Sequence, residues 1–145
     1  MLALALLPFA RLALHMFFCR ITLIGHQSVP RGRPLLFIAN HPNLLLDALL
    51  VAAFAPGPIP RFIGKSTLFS RRLVSFLLRR FGVIAAARPQ DGRQRRIATN
   101  AAMLHEAGDQ LRRGGSLALF PEGRCHAQPR LLPLKSGAAR LALRL

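Results

Sequence analysis

The apolar positions of this chain change their spacing along its length, and the changes predict the elements. Residues 1–19 are apolar except for Arg11 and His15. Pro8 interrupts the run, and a spanning helix needs roughly 20 predominantly apolar residues. Arg11 and His15 stand four apart, on one face of a helix, which favours a helix lying in a membrane interface. A tilted or partial span and an ordinary packed helix are the other readings of that pattern. No basic residue precedes the run and no small-residue cleavage site is convincing, so a cleaved signal peptide is not predicted.

Ile21–Ile24 is a short β-branched run closed by Gly25, and residues 30–34 (PRGRP) form a loop. The unbroken apolar character of Leu35–Ala39 predicts a buried strand. Pro42 and Asn43 open a helix through about Phe54, with Asn43 as its N-cap. The Pro56-Gly57-Pro58 run ends it. Arg61–Ile63 reads as a strand closing at Gly64-Lys65. A helix from Leu68 to Arg80, capped by Ser66 or Thr67, carries Phe69, Leu73, Phe76 and Leu77 at helical spacing, with Arg71, Arg72, Arg79 and Arg80 between them. Val83–Ala87 is a strand and Asp91-Gly92 a turn. Arg93–Arg113 is a helix with Ile97, Ala101, Leu104 and Leu111 inward and Gly114-Gly115 as its stop. Leu117–Phe120 is a strand, and a last apolar helix runs from about Lys135 to Leu145. Alternating strands and helices predict an α/β fold, an open sheet flanked by helices. The expected organisation is an apolar, membrane-associating helix over 1–19 and one α/β domain over 20–145. That domain is expected to be incomplete at its C-terminal end, because the chain stops inside an apolar helix.

Charge changes the picture. The 145 residues hold 21 basic and only 5 acidic side chains, a formal charge of +16. Only Lys65 and Lys135 of the basic set are lysines. The arginine fork matches phosphate and carboxylate, so acidic partners are implied: nucleic acid, anionic lipid or a phosphorylated substrate. With no tryptophan or tyrosine for base stacking and an apolar N-terminal run, the membrane is favoured over nucleic acid. Two distant cysteines, Cys19 and Cys125, make neither a disulfide framework nor a zinc site.

So few acids make their placement informative. Asp91, Glu106 and Asp109 suit turns and helix surfaces. Asp47 lies in an apolar run, six positions after His41, and Glu122 directly follows a strand. Within one ideal helix that six-residue spacing means about 9 Å of rise and about 240° of rotation, so the two side chains could not meet. Pro42 keeps His41 out of helical geometry. His41 is therefore expected in the turn before the helix, aimed at solvent, with Asp47 behind it. Such a pair can act as a general base; alone, it reads rather as an N-terminal helix cap with a buried histidine and an incidental aspartate, since short motifs match by chance. In Phe120-Pro121-Glu122-Gly123-Arg124, Gly123 allows close backbone approach, loop N–H groups can face an oxyanion, and Arg124 can grip a phosphate. Lys135 adds a second cation at a helix start.

Taken in order, these blocks resemble the glycerophospholipid acyltransferase family, of the 1-acylglycerol-3-phosphate acyltransferase type. Asn40-His41…Asp47 is similar to the family's N-H-x4-D motif, in the form His-Pro-Asn-x-Leu-Leu-Asp known from one branch. Arg61–Lys65 with Leu68-Phe69 is similar to its acceptor-binding block, and Phe81–Ile84 to the strand after it. Phe120–Gly123 is similar to its F-P-E-G-T-R-S block, with Pro133–Gly137 following. Five residues, not four, separate His41 from Asp47, and Arg-Cys-His replaces Thr-Arg-Ser after Gly123. The resemblance implies His41 as base, Asp47 as its partner, Glu122 and Gly123 shaping the acceptor site, and Lys65 and Arg124 on the acceptor phosphate. The donor would be acyl-CoA or an acyl carrier protein thioester, and no metal or redox cofactor is implied. Membrane lipid is the expected partner, at the cytoplasmic face of the inner (plasma) membrane, with no nucleic acid. A basic, non-catalytic membrane- or nucleic-acid-binding remnant is the competing class.

Other signals carry less. Gly64-Lys65-Ser66 ends like a P-loop, but Ile59 stands where that motif needs glycine. Cys125-His126 has no clear acid partner for a thiol nucleophile, and His15, His26 and His105 lack ligand spacing.

Overall fold

The computed structural model describes residues 2–43, 45–87, 92–126, 128 and 130–143. Four parallel strands form one open sheet in the order β1-β4-β2-β3: β1 Leu36–Ile38, β2 Arg61–Lys65, β3 Ile84–Ala86 and β4 Leu117–Leu119. Parallel strands need crossover connections, and helices supply them. The α-helices are α1 Leu2–Phe17, α2 Leu46–Phe54, α3 Arg72–Arg80, α4 Arg93–Arg112 and α5 Gly137–Ala142. The expected α/β class is therefore the observed one.

The last strand in sequence inserts between the first two. Leu36, Phe37 and Ile38 of β1 pair with Leu117, Ala118 and Leu119 of β4, whose other edge pairs with Arg61 and Phe62 of β2. Ser116 joins the three strands at their start: its side-chain oxygen accepts the Leu35 N–H at 3.2 Å and its carbonyl the Arg61 N–H at 2.9 Å. All three residues of β4 are buried. Ile84, Leu117 and Leu119 from the sheet pack with Leu104, Ala107 and Leu111 of α4 and Ala138 and Leu141 of α5.

Several expectations need correction. The helix expected over Leu68–Arg80 is divided: Ser66–Ser70 is a tight 3-10 turn, and extended backbone at Arg71 separates it from α3. Ile97 and Ala101 do not face inward; Ile97 is 59% exposed. The side chain of Asn100 already accepts the N–H of Ala87 just past β3. The turn bearing Ile97 thus reaches beyond the sheet, as a helix of about 30 Å must beside strands of about 10 Å. The last helix covers only Gly137–Ala142. Asp91 of the expected turn lies outside the described residues.

Among the described residues no helix is long and apolar enough to cross a membrane. α1 packs on α2 through its polar face. Arg11 Nε donates to the Ala53 carbonyl at 2.8 Å, covering one of the free carbonyls at the end of α2. The His15 ring meets Phe54 edge-on and Leu14 is buried. Leu4, Phe9, Leu12, Met16 and Phe17 are left exposed on the outside.

Candidate active site

The strand order brings two distant segments side by side at one end of the sheet. His41 follows β1 and Glu122 follows β4, each leaving the C-terminal end of its strand. Lys65, half-buried, ends β2 on the same side. The C-terminal edge of a parallel sheet is where open α/β folds hold ligands.

Asn43 is not the helix cap that its position suggested. α2 begins at Leu46, and the capping runs in reverse. Asp47, in the first turn, reaches back: one oxygen, Oδ2, accepts the Asn43 N–H at 2.7 Å and lies 2.9 Å from His41 Nδ1. The contact demands that His41 sit in the turn before the helix, as its spacing from Asp47 required. It also leaves Nε2 as the ring nitrogen without a hydrogen-bond partner among the described residues. The ring is less open than expected. His41 is only 8% exposed, because its plane stacks on Phe120 at 3.9 Å between centroids and 10° between planes. Imidazole orientation is thus fixed twice, by a carboxylate at one nitrogen and by an aromatic wall across the face.

Glu122 is more deeply placed, at 3% exposure. Its Oε2 accepts the Leu132 N–H at 3.2 Å and contacts His126 Nε2. Oε1 is buried without a hydrogen bond of its own. Burial alone would raise this carboxyl. The hydrogen bonds from His126 and Leu132, the charge of His126 and, most weakly, the His41 backbone N–H outweigh it and hold Glu122 below the ordinary glutamate value. A buried acceptor left empty beside a basic ring is a site feature, since such groups are rarely left unsatisfied.

The loop around Glu122 is folded by its own backbone. Gly123 has φ +67, its N–H bonds Phe120 O at 3.0 Å, and the Lys135 N–H bonds Pro121 O at 2.9 Å. The Lys135 side chain crosses the bare face of Gly123, where a Cβ would run into its ammonium. Arg124 is exposed. Among the described residues, no hydrogen bond or ion pair joins Arg124 or Lys65 to the His41–Asp47 pair or to Glu122. One residue of the site escapes a reading by motif: His126, which stands there only beside Cys125, while Phe120 belongs to the Phe120–Gly123 block but with no role of its own. The four-residue spacing of Glu122 and His126 is the available signal. Among the described residues no three His, Cys, Asp or Glu side chains gather as a metal site.

An acyltransferase family model matches residues 9–145, nearly the whole chain. The chain belongs to the Acyltransferase family. A comparison with curated proteins finds no match. Among solved structures, the fold is similar to the crystal structure of the 1-acyl-sn-glycerophosphate (LPA) acyltransferase PlsC from Thermotoga maritima. The TM-score is 0.72 at 22% identity, over 98% of this chain and 53% of that one. The chain therefore spans about half the length of the structure it matches. The likeness extends the family assignment to the fold, an open parallel sheet flanked by helices.

Proposed function

We propose that this acyltransferase-family chain moves a fatty acyl group from a thioester, of coenzyme A or acyl carrier protein, to a hydroxyl of glycerol 3-phosphate or a lysophospholipid. The observation that carries the proposal is the 2.9 Å contact between His41 Nδ1 and Asp47 Oδ2 at the C-terminal edge of the sheet. With Nδ1–H donated to the carboxylate, the Nε2 lone pair takes the proton of the acceptor hydroxyl. The alkoxide oxygen forms a bond to the thioester carbonyl carbon. Backbone N–H groups of the Gly123 loop would face the resulting oxyanion. Collapse breaks the C–S bond, and the leaving thiolate takes the proton from the imidazolium. Asp47 steadies that transient charge. Proton, acyl group and thiol balance without a cofactor.

Cations suited to an acceptor phosphate surround the edge: Lys65 at the end of β2, Arg124 after Gly123 and Lys135 across Gly123. Glu122 Oε1 is a free acceptor for a second acceptor hydroxyl. Support for an alkyl donor comes from an apolar groove of about 340 Å³ lined by Phe37, Leu50, Val51 and Phe54. The last three stand three, four and seven positions after Asp47, on the helix face that begins with the dyad. The exposed apolar side of α1, docked to α2 by Arg11, suits a membrane interface close to these groups.

The test is thiol release from acyl-CoA in the presence of glycerol 3-phosphate or lysophosphatidate, comparing parent with His41→Ala. Loss of a general base is expected to lower turnover by roughly 10²–10⁴-fold, with the far-UV spectrum unchanged. Retained turnover in the variant would remove His41 from the role.

A further inference from the structure

α3 turns its apolar side away from the protein. Its half-buried residues are Ser75 and Leu78, whereas Leu73 is 71% and Phe76 66% exposed. At 100° per residue, Leu73, Phe76 and Leu77 share one outward face with Arg80. Arg72 and Arg79 flank that face, and Arg79 lies over the Phe69 ring at 5.6 Å. Ordinary surface helices have the opposite sense, apolar inward and charged outward. Among the described residues no acid forms an ion pair with α3: Glu106 is paired with Arg61 at 2.5 Å and Asp109 with Arg112 at 2.5 Å.

We infer that α3 is a docking element for an anionic membrane surface, separate from α1. Two features select this occupant. The charge calls for a polyanion, and arginines near anionic headgroups contribute individually. The apolar side chains between them decide which one. A nucleic-acid backbone gains nothing from Leu73 and Leu77, whereas a lipid surface buries them below the headgroups that the arginines meet. α3 follows Lys65 by way of the 3-10 turn, so docking holds the end of β2 near the headgroup layer. The inference is independent of acyl transfer: lipid docking is measured without donor or acceptor.

The experiment is co-sedimentation of the full chain with phosphatidylcholine vesicles, with or without phosphatidylglycerol. Arg72→Gln/Arg80→Gln is expected to weaken binding to the anionic vesicles by roughly fivefold per arginine, with no change on pure phosphatidylcholine. Leu73→Ser/Phe76→Ser is expected to weaken binding to both. Leu12→Ser/Met16→Ser in α1 is expected to act on both vesicle types without altering the preference for anionic lipid. Because the chain has no tryptophan, Phe76→Trp reports directly even if a double variant misfolds. Its indole emission is expected to move to the blue on phosphatidylglycerol vesicles. The idea fails if the arginine variant keeps the parent's anionic preference, or if the emission of the Phe76→Trp variant stays put on bound vesicles. It fails equally if the apolar substitutions instead dissolve a dimer seen by light scattering, or if duplex DNA competes the protein off the vesicles through α3.

Discussion

α4 and α3 are both amphipathic by sequence, and they face opposite ways. α4 sends Leu104, Ala107 and Leu111 into the sheet and carries His105, Arg112 and Arg113 outside. α3 keeps Ser75 and Leu78 toward the protein and shows Leu73 and Phe76 to the outside. α1 resembles α3, with its polar Arg11 donating inward and Leu4, Leu6 and Leu12 exposed. One helix is held by the hydrophobic effect within the chain. The others leave apolar side chains exposed. Periodicity identifies a helix; it does not say what the apolar stripe meets.

The sharpest way to break this comparison is a truncation in each helix. Leu111→Ala, at a side chain 1% exposed in the α4 layer, is expected to cost about 2–5 kcal/mol in urea or thermal unfolding. A loss below about 1 kcal/mol, the range of ordinary surface sites, would remove α4 from the core. Gly123→Ala follows. It forces an L side chain into left-handed backbone against Lys135, so about 1–2 kcal/mol is expected. It also displaces Lys135, which an acceptor titration would read as a raised KM.

A smaller effect reads in pH. Glu122 has a folded value below its unfolded one, so it stabilises the fold above the unfolded value. That contribution is lost as pH falls from the ordinary glutamate range through the lower folded value. Thermal midpoints of the parent should decline on acidification through that window, and Glu122→Gln should flatten that part of the decline. Identical acid limbs in the two proteins would contradict the assignment. The smallest effect belongs to α3. Phe76→Ser is expected to change stability by no more than about 0.5 kcal/mol, as exposed substitutions do. A core-sized loss would mean that Phe76 is packed, and the contrast with α4 would vanish.

Much of the site was readable from spacing. Six positions and a proline required His41 to precede α2 and fold back on Asp47, and the two side chains meet. The stacking of His41 on Phe120 was not readable, because it depends on β4 lying beside β1. The partnership of Glu122 with His126 was half readable: the spacing was present, but nothing local marked that loop as folded over a buried carboxylate. Asn43 was misread as a cap because side-chain rules treat the turn alone, while here the turn's N–H is taken by Asp47.

The linear chain determined where apolar runs begin and end, hence the strands near 35–39, 61–65, 83–87 and 117–120 and most of the helices between them. These follow from local sterics and burial periodicity, which act over a few residues. Tertiary structure alone decided that β4 enters between β1 and β2, that His41 loses most of its exposure to Phe120, and which way α1 and α3 turn. Those outcomes are set by competition among distant surfaces for the same sheet face. No window of neighbouring residues carries the result of that competition.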